Sequence, residues 1–278
     1  MPTTSAPVRV VDTATLAGDG DNNQDRAITG DRYAAVLDGA SQFPPRADGH
    51  DGGWYSERLA RALTDAFDAD PESTPSDAVA RAIGSVATDE HLQPGDAPSS
   101  TVALARWDDE RLKVYVLGDS PAIVFLADGT PQVITDRRLS RIADDRRAAY
   151  RARLTDGHGF DATHRRILAD LQAEQQRRRN NDGGYWIAEA DPQAGHHDYT
   201  TTFPLDNIAT VLLLSDGASA TVDKYASPET WPEALTYVRD HGCAALLRAA
   251  TELEDQDHEG SRWPRSKRHD DKTVVLLA

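Results

Sequence analysis

The segment Ala34-Ala35-Val36-Leu37-Asp38-Gly39-Ala40 constrains the fold more than any other stretch of the chain. Its run of four apolar residues reads as a buried strand, and an Asp-Gly pair closes it. Glycine lets the backbone turn sharply there, so the Asp38 carboxylate and the Gly39 carbonyl can face one spot. The pattern returns in Thr210-Val211-Leu212-Leu213-Leu214-Ser215-Asp216-Gly217. A third acidic strand edge, Asp270-Asp271, precedes Lys272-Thr273-Val274-Val275-Leu276-Leu277. Like charges gathered at the edge of a core need a cation to offset them, so these strand ends point to a metal site.

The chain has 278 residues, 39% of them hydrophobic, enough for one large domain or two small ones. No apolar run is long enough to cross a bilayer, and Met1-Pro2-Thr3-Thr4-Ser5 lacks the plan of a signal peptide. A soluble, cytoplasmic protein without a membrane partner is therefore expected. Cys243 is the single cysteine, which excludes a disulfide scaffold and cysteine-based zinc sites. Its apolar helical context marks it as a buried structural thiol. A net charge of -16 argues against nucleic acid as a partner. The charge is uneven: residues 136–183 hold 12 Arg against 8 Asp or Glu, a net of +4, which leaves -20 on the remainder.

Residues 6–16 read as a first strand rich in β-branched side chains, and Gly18 to Asn23 as turn material. Gln24 to Ile28 and Tyr33 to Leu37 form a hairpin around Gly30-Asp31, which brings Asp25 near Asp38 while leaving the register open. After a loop over 41–53, Trp54 to Phe67 carries apolar residues at helical spacing, and Thr74-Pro75-Ser76-Asp77 starts a second helix with a cap residue and a first-position proline. Strands are expected at 99–107, 112–117, 122–126 and 131–134, a meander that implies antiparallel pairing. Two helices, 139–154 and 161–179, occupy the Arg-rich segment. Strands at 184–188 and 208–214, helices at 231–238 and 244–253, and a strand at 273–277 complete the chain. This order predicts an α+β fold: a four-layer α-β-β-α sandwich with two central antiparallel sheets. It forms a single domain over 1–278, interrupted by a helical insert at about 136–183.

Six segments, taken in order, resemble the motifs of the metal-dependent Ser/Thr protein phosphatases of the 2C type, in their bacterial form. They are Asn23-Gln24-Asp25, Val36-Leu37-Asp38-Gly39, Ser100-Thr101, Leu117-Gly118-Asp119-Ser120, Leu213-Leu214-Ser215-Asp216-Gly217 and Asp270-Asp271-Lys272-Thr273. The resemblance implies two Mn2+ or Mg2+ ions between the sheets. Asp38 would bridge both, the Gly39 carbonyl and Asp25 would help hold one, and Asp216 and Asp270 the other. Asp119 with Asp216 would hold a third, weaker ion. The family's reaction is direct attack on phosphorus by a metal-bridging hydroxide, with phosphoserine or phosphothreonine in a protein as substrate and Asp38 and Asp216 as the critical acids. Carboxylate oxygens suit such hard ions.

The chain departs from the family pattern at three positions. Gly20 stands where an arginine usually meets the substrate phosphate, Ala40 where animal members have histidine, and Asp271 where asparagine is usual. A replacement for the arginine is sought in Arg46, on the loop that leaves Asp38-Gly39, and in Arg26, beside Asp25. Against these readings, Arg46 also fits a solvated loop residue, and strand alternation turns Arg26 away from Asp25. Asp48-Gly49-His50 spells the animal form of the central motif, but it follows a Pro-Pro stretch that cannot be a central strand, so Asp38 is assigned.

His196-His197 is read as a surface loop, since neighbours on a strand face opposite ways. Asp119 stays divided between a metal role and a turn role, and Arg177 to Arg179 between helix-end charges and substrate contact. Two rival functions stand beside the phosphatase: a weak or inactive relative that binds a phosphoprotein, favoured by Gly20, and a phosphatase of a small ester. The Arg-rich insert favours a phosphorylated protein.

Overall fold

Side chains of β3 (Tyr33–Asp38) alternate between two apolar layers, and this alternation explains the architecture. Ala34 and Val36 enter the layer between two sheets, whereas Tyr33, Ala35 and Leu37 meet helices on the outer face. A computed structural model describes residues 8–19, 22–42 and 45–278; Gly20, where the phosphate arginine was sought, lies outside the described residues.

One sheet orders β2 (Asp25–Thr29), β3, β4 (Val102–Trp107), β5 (Arg111–Leu117) and β8 (Tyr199–Pro204). The other orders β1 (Val10–Leu16), β10 (Lys272–Leu277), β9 (Ile208–Leu214), β6 (Ala122–Leu126) and β7 (Pro131–Ile134). Every pairing between these strands is antiparallel. Val114, Val116, Val124, Val211, Leu213 and Val275 fill the space between the sheets.

Helices α1 (Gly52–Ala69) and α2 (Pro75–Asp89) lay Leu59, Leu63, Val79 and Ile83 on the first sheet. Thr74 caps α2 by accepting from the Asp77 N–H, and Pro75 sits at the first helical position. On the second sheet α5 (Asp216–Asp223), α6 (Trp231–His241) and α7 (Cys243–Gln256) bury Ala218, Trp231, Leu235, Leu246 and Leu247. Cys243 is fully buried among them. The result is the expected four-layer sandwich.

The Arg-rich segment forms α3 (Asp144–Thr155) and α4 (Ala162–Arg178), joined by a small core of Tyr150, Leu154, Leu168 and Leu171. Residues 184–188, expected as a strand, form only isolated bridges, from Tyr185 to Arg179 and from Ala188 to Ser100. The strand beside β5 is instead β8, which adds an edge of mainly exposed threonines. Among the described residues no helix is long and apolar enough to cross a membrane.

Two backbones touch where β3 meets α1. A Cβ on Gly39 would lie 2.4 Å from the Gly52 carbonyl, and one on Gly52 would meet Gly39 at 2.4 Å. Glycine is required there so that the start of α1 can close over the end of β3. Gly39→Ala should therefore destabilise the metal-free protein by ~1–3 kcal/mol in chemical denaturation. Unchanged stability would show that the contact is slack.

Candidate metal and phosphate site

The strand ends deliver acids to one place. Asp25 opens β2 directly opposite Asp38, which closes β3, so the two side chains share a face. Alternation from Ala34 and Val36 carries Asp38 to the end of the inter-sheet layer. Across that layer β9 ends at Leu214 and α5 begins at Asp216, whose N–H lies 3.4 Å from the Asp38 carboxylate. Gly217 allows the next approach: a Cβ there would fall 2.1 Å from the Asp271 carbonyl and 3.1 Å from the Asp270 side chain. Asp38, Asp119, Asp216 and Asp270 line one cavity of about 360 Å3. Asp271 points elsewhere, accepting from the N–H groups of Gly18 and Gln24.

Crowding within protein raises these acids. Asp25 is 2% exposed, and neither of its carboxylate oxygens has a hydrogen-bond partner. Burial, with Asp270 and Asp271 adding to it, pushes its pKa up to about 7; the Ser215 and Thr273 hydroxyls offset part of this without bonding to it. Asp38 is raised by burial and then by Asp25, Asp216 and Asp270. Asp119 is pushed up to about 7 by burial and by Asp216. Asp216 keeps contact with water through the cavity mouth, yet the surrounding protein and Asp270 raise it too. Asp270 alone falls: burial would raise it, but Lys267, with Nζ 2.5 Å from its carboxylate, outweighs that effect.

A family model, protein phosphatase 2C, matches residues 15–255. The chain belongs to the protein phosphatase 2C family. By that membership it is a protein-serine/threonine phosphatase. Solved structures similar to it include the catalytic domain of the phosphatase PstP in complex with two manganese ions, with 19% identity, 97% of each chain covered and a TM-score of 0.54. MsPP from Mycobacterium smegmatis in complex with cacodylate matches at 20% identity over 99% of each chain, TM-score 0.52. Stp1 from Staphylococcus aureus matches at 17% identity over 99% of this chain and 95% of its own, TM-score 0.55. At such identities the likeness establishes the fold. Among proteins with curated functions, none is significantly similar to this chain.

Against the 2C pattern, Arg46 is committed elsewhere. Its guanidinium pairs with Asp48 at 2.8 Å and Asp96 at 3.1 Å, on a second cavity of about 790 Å3. Arg26 lines neither cavity; it donates to the carbonyls of Asn23 and Asp25 and meets Glu57 at 3.4 Å. Asp48 lies on the second cavity, in the ion pair with Arg46. The cations that do line the acidic cavity went unnoticed in the sequence: Arg147 and Arg151 on α3, Lys224 after α5, and Arg265 and Lys267. Only the insert's overall positive charge hinted at the first two.

The donor set suits a hard divalent ion, and the orphaned Asp25 carboxylate is what such an ion would satisfy. Among the described residues no group of three or more Asp, Glu, His or Cys side chains already converges as a cage. Asp270 is instead paired with Lys267.

The raised acids set a pH dependence. Folded, metal-free protein keeps the Asp25 proton up to about pH 7, whereas the unfolded chain loses it near 3.8. In that window the native state binds more protons, so stability falls as pH rises. Asp25→Asn removes the penalty: in EDTA at pH 8 it should be more stable than the parent by on the order of 1 kcal/mol, and saturating Mn2+ should erase the advantage. Thermal denaturation at pH 4 to 8 checks this; an identical slope in both proteins would contradict it.

Proposed function

We propose that the protein hydrolyses phosphoserine and phosphothreonine in proteins with divalent Mn2+ or Mg2+ held by the acids of this cavity. The observation that carries the reading is the Asp25–Asp38 pair, in register across two strands and facing Asp216 and Asp270. Asp38, with the Gly39 carbonyl and Asp25, would hold one ion, Asp216 and Asp270 the other, and Asp119 with Asp216 a third. When bound, the ions supply the charge that activates water and neutralises the phosphoryl oxygens. The presence of two manganese ions in the similarly folded PstP domain supports this choice of metal.

The chain's own residues place the substrate. Arg151 and Lys224 line the cavity, and among the described residues neither side chain is held in an ion pair, so both remain available to a phosphate dianion. The second cavity runs on from the first along α4, sharing Ala40, Ser41, Leu139, Gln175 and Ile187. A continuous groove of that kind suits an extended peptide flanking the phosphoresidue better than a small ester. In this reading the insert is a substrate-docking flap. Arg46 contacts flanking residues if it exchanges Asp48 for them, and Arg26 holds the Asn23–Asp25 turn.

Hydrolysis of a phosphothreonine peptide with and without Mn2+ tests the proposal. Activity should vanish in excess EDTA, and Asp38→Asn should lower kcat/KM by about a hundredfold or more. Full activity in EDTA, or a fully active Asp38→Asn protein, would exclude this chemistry.

A further inference from the structure

Among the described residues, Lys267 is the one cation paired with a carboxylate of the acid cluster. Its Nζ lies 2.5 Å from Asp270 Oδ1, the two side chains are 21% and 25% exposed, and both line the cavity that holds Asp38 and Asp216. This is not a lysine free to wander. Two positions earlier, Arg265 is 4% exposed and is bound to Asp257 at 2.9 Å. It also donates to the carbonyls of Glu254 at 3.1 Å and Arg268 at 2.9 Å. The intervening Ser266 offers its carbonyl to His164 of α4 at 2.9 Å. Beyond Lys267, the Asp270 carbonyl accepts from the fully buried Lys272 at 2.8 Å. Both ends of the short Lys267–Asp270 segment are therefore anchored, and the ammonium is held against the carboxylate by the fold.

The two ends of the cluster are compensated unequally. Asp25, on the first sheet, is buried with both oxygens unpartnered, whereas Asp270, beside the second sheet, already carries a cation. A divalent ion at the Asp25–Asp38 end meets the unpartnered Asp25 carboxylate and an Asp38 that, among the described residues, pairs with no cation, although it feels Lys267 through space. An ion at the Asp270 end must displace an ammonium that the chain keeps close by, and then bind in its repulsive field.

We propose that Lys267 is a tethered cation that occupies the Asp270 side of the cluster and makes the two metal positions unequal, tight at Asp25–Asp38 and weak at Asp216–Asp270. The inference rests on the metal-dependent phosphatase reading and adds to it the order in which the ions bind. It also gives the metal-free protein a compensated acid at Asp270, so that the C-terminal segment keeps its position while that ion is absent.

The test is Mn2+ binding to the whole protein, followed by calorimetry and by the electron paramagnetic resonance of free Mn2+, in the parent, in Lys267→Met and in Lys224→Met. The last variant removes a cavity charge that acts on Asp216 and Asp270 through space without pairing with either, and so measures the effect of a nearby charge without the contact. In Lys267→Met the weak class of sites should tighten about tenfold while the tight class moves less than about threefold, and Lys224→Met should shift both classes by less than about threefold. Metal-free Lys267→Met should also melt below the parent and gain more than it from saturating Mn2+. Lys267→Gln provides the same comparison should the methionine variant fail to fold. A weak class unchanged within about twofold in the Lys267 variant, or equal shifts in the two lysine variants, overturns the proposal while leaving the phosphatase reading in place. Absence of Mn2+ binding in all of these proteins would overturn both.

Discussion

Repulsion among Asp25, Asp38, Asp216 and Asp270 is the force against which this structure is arranged. Asp25 is itself buried, and the other three sit at or beside the end of a strand whose nearby residue is fully buried: Leu37 before Asp38, Leu214 just ahead of Asp216, Lys272 and Thr273 after Asp270. The strands cannot withdraw without opening the core, so the carboxylates cannot relax by moving apart. Part of the cost is met by the N-terminus of α5, whose first N–H faces Asp38, and part by Lys267. What remains adds to the larger effect of burial in raising the proton affinity of Asp25, Asp38, Asp119 and Asp216. A site that holds protons for want of a cation is built to take one.

Two buried acids clamp the walls of the cavity. Glu254, 1% exposed, accepts from Tyr225 and Lys272 at 2.8 Å and meets His269 Nδ1 at 3.0 Å, which ties α7 to the segment bearing Asp270. Opposite it, Glu189 pairs with Arg179 at the end of α4 and accepts from the N–H groups of Gly95 and Ala97, while its carbonyl takes the Tyr55 hydroxyl. Ion pairs of this kind contribute more to position than to net stability, because losing one partner leaves a buried charge alone. They explain how α3 and α4, with a core of only a few side chains, stay beside the acids.

The layers were legible in the sequence because strand alternation and helical spacing are strong where both faces of an element are covered. β3, β9 and β10 stand where their apolar runs placed them, and Asp25 faces Asp38 as the hairpin suggested. Weak signals misled at the margins. Tyr199–Pro204 is an edge strand of threonines that packs little more than Phe203, so no apolar run announced it. Tyr185 and Ile187 looked like a strand but are buried by α4 and the loops around them, with only isolated bridges. Helix α5 begins at the Asp216 motif itself, which hid it behind the strand. Arg46 seemed free to fold over Asp38; Asp48, two residues on, and Asp96, from a distant loop, intercept it. Lys267 was invisible because its position depends on Arg265, Asp257 and His164, which only the folded chain brings together.

The account turns on whether the acids hold metal. Diffraction at the manganese absorption edge, from crystals of the active protein grown with Mn2+, measures this directly. Anomalous density in contact with the Asp38 and Asp25 carboxylates and the Gly39 carbonyl is the predicted result. A protein that hydrolyses its phosphopeptide while no anomalous density lies within coordination distance of Asp38 would contradict it.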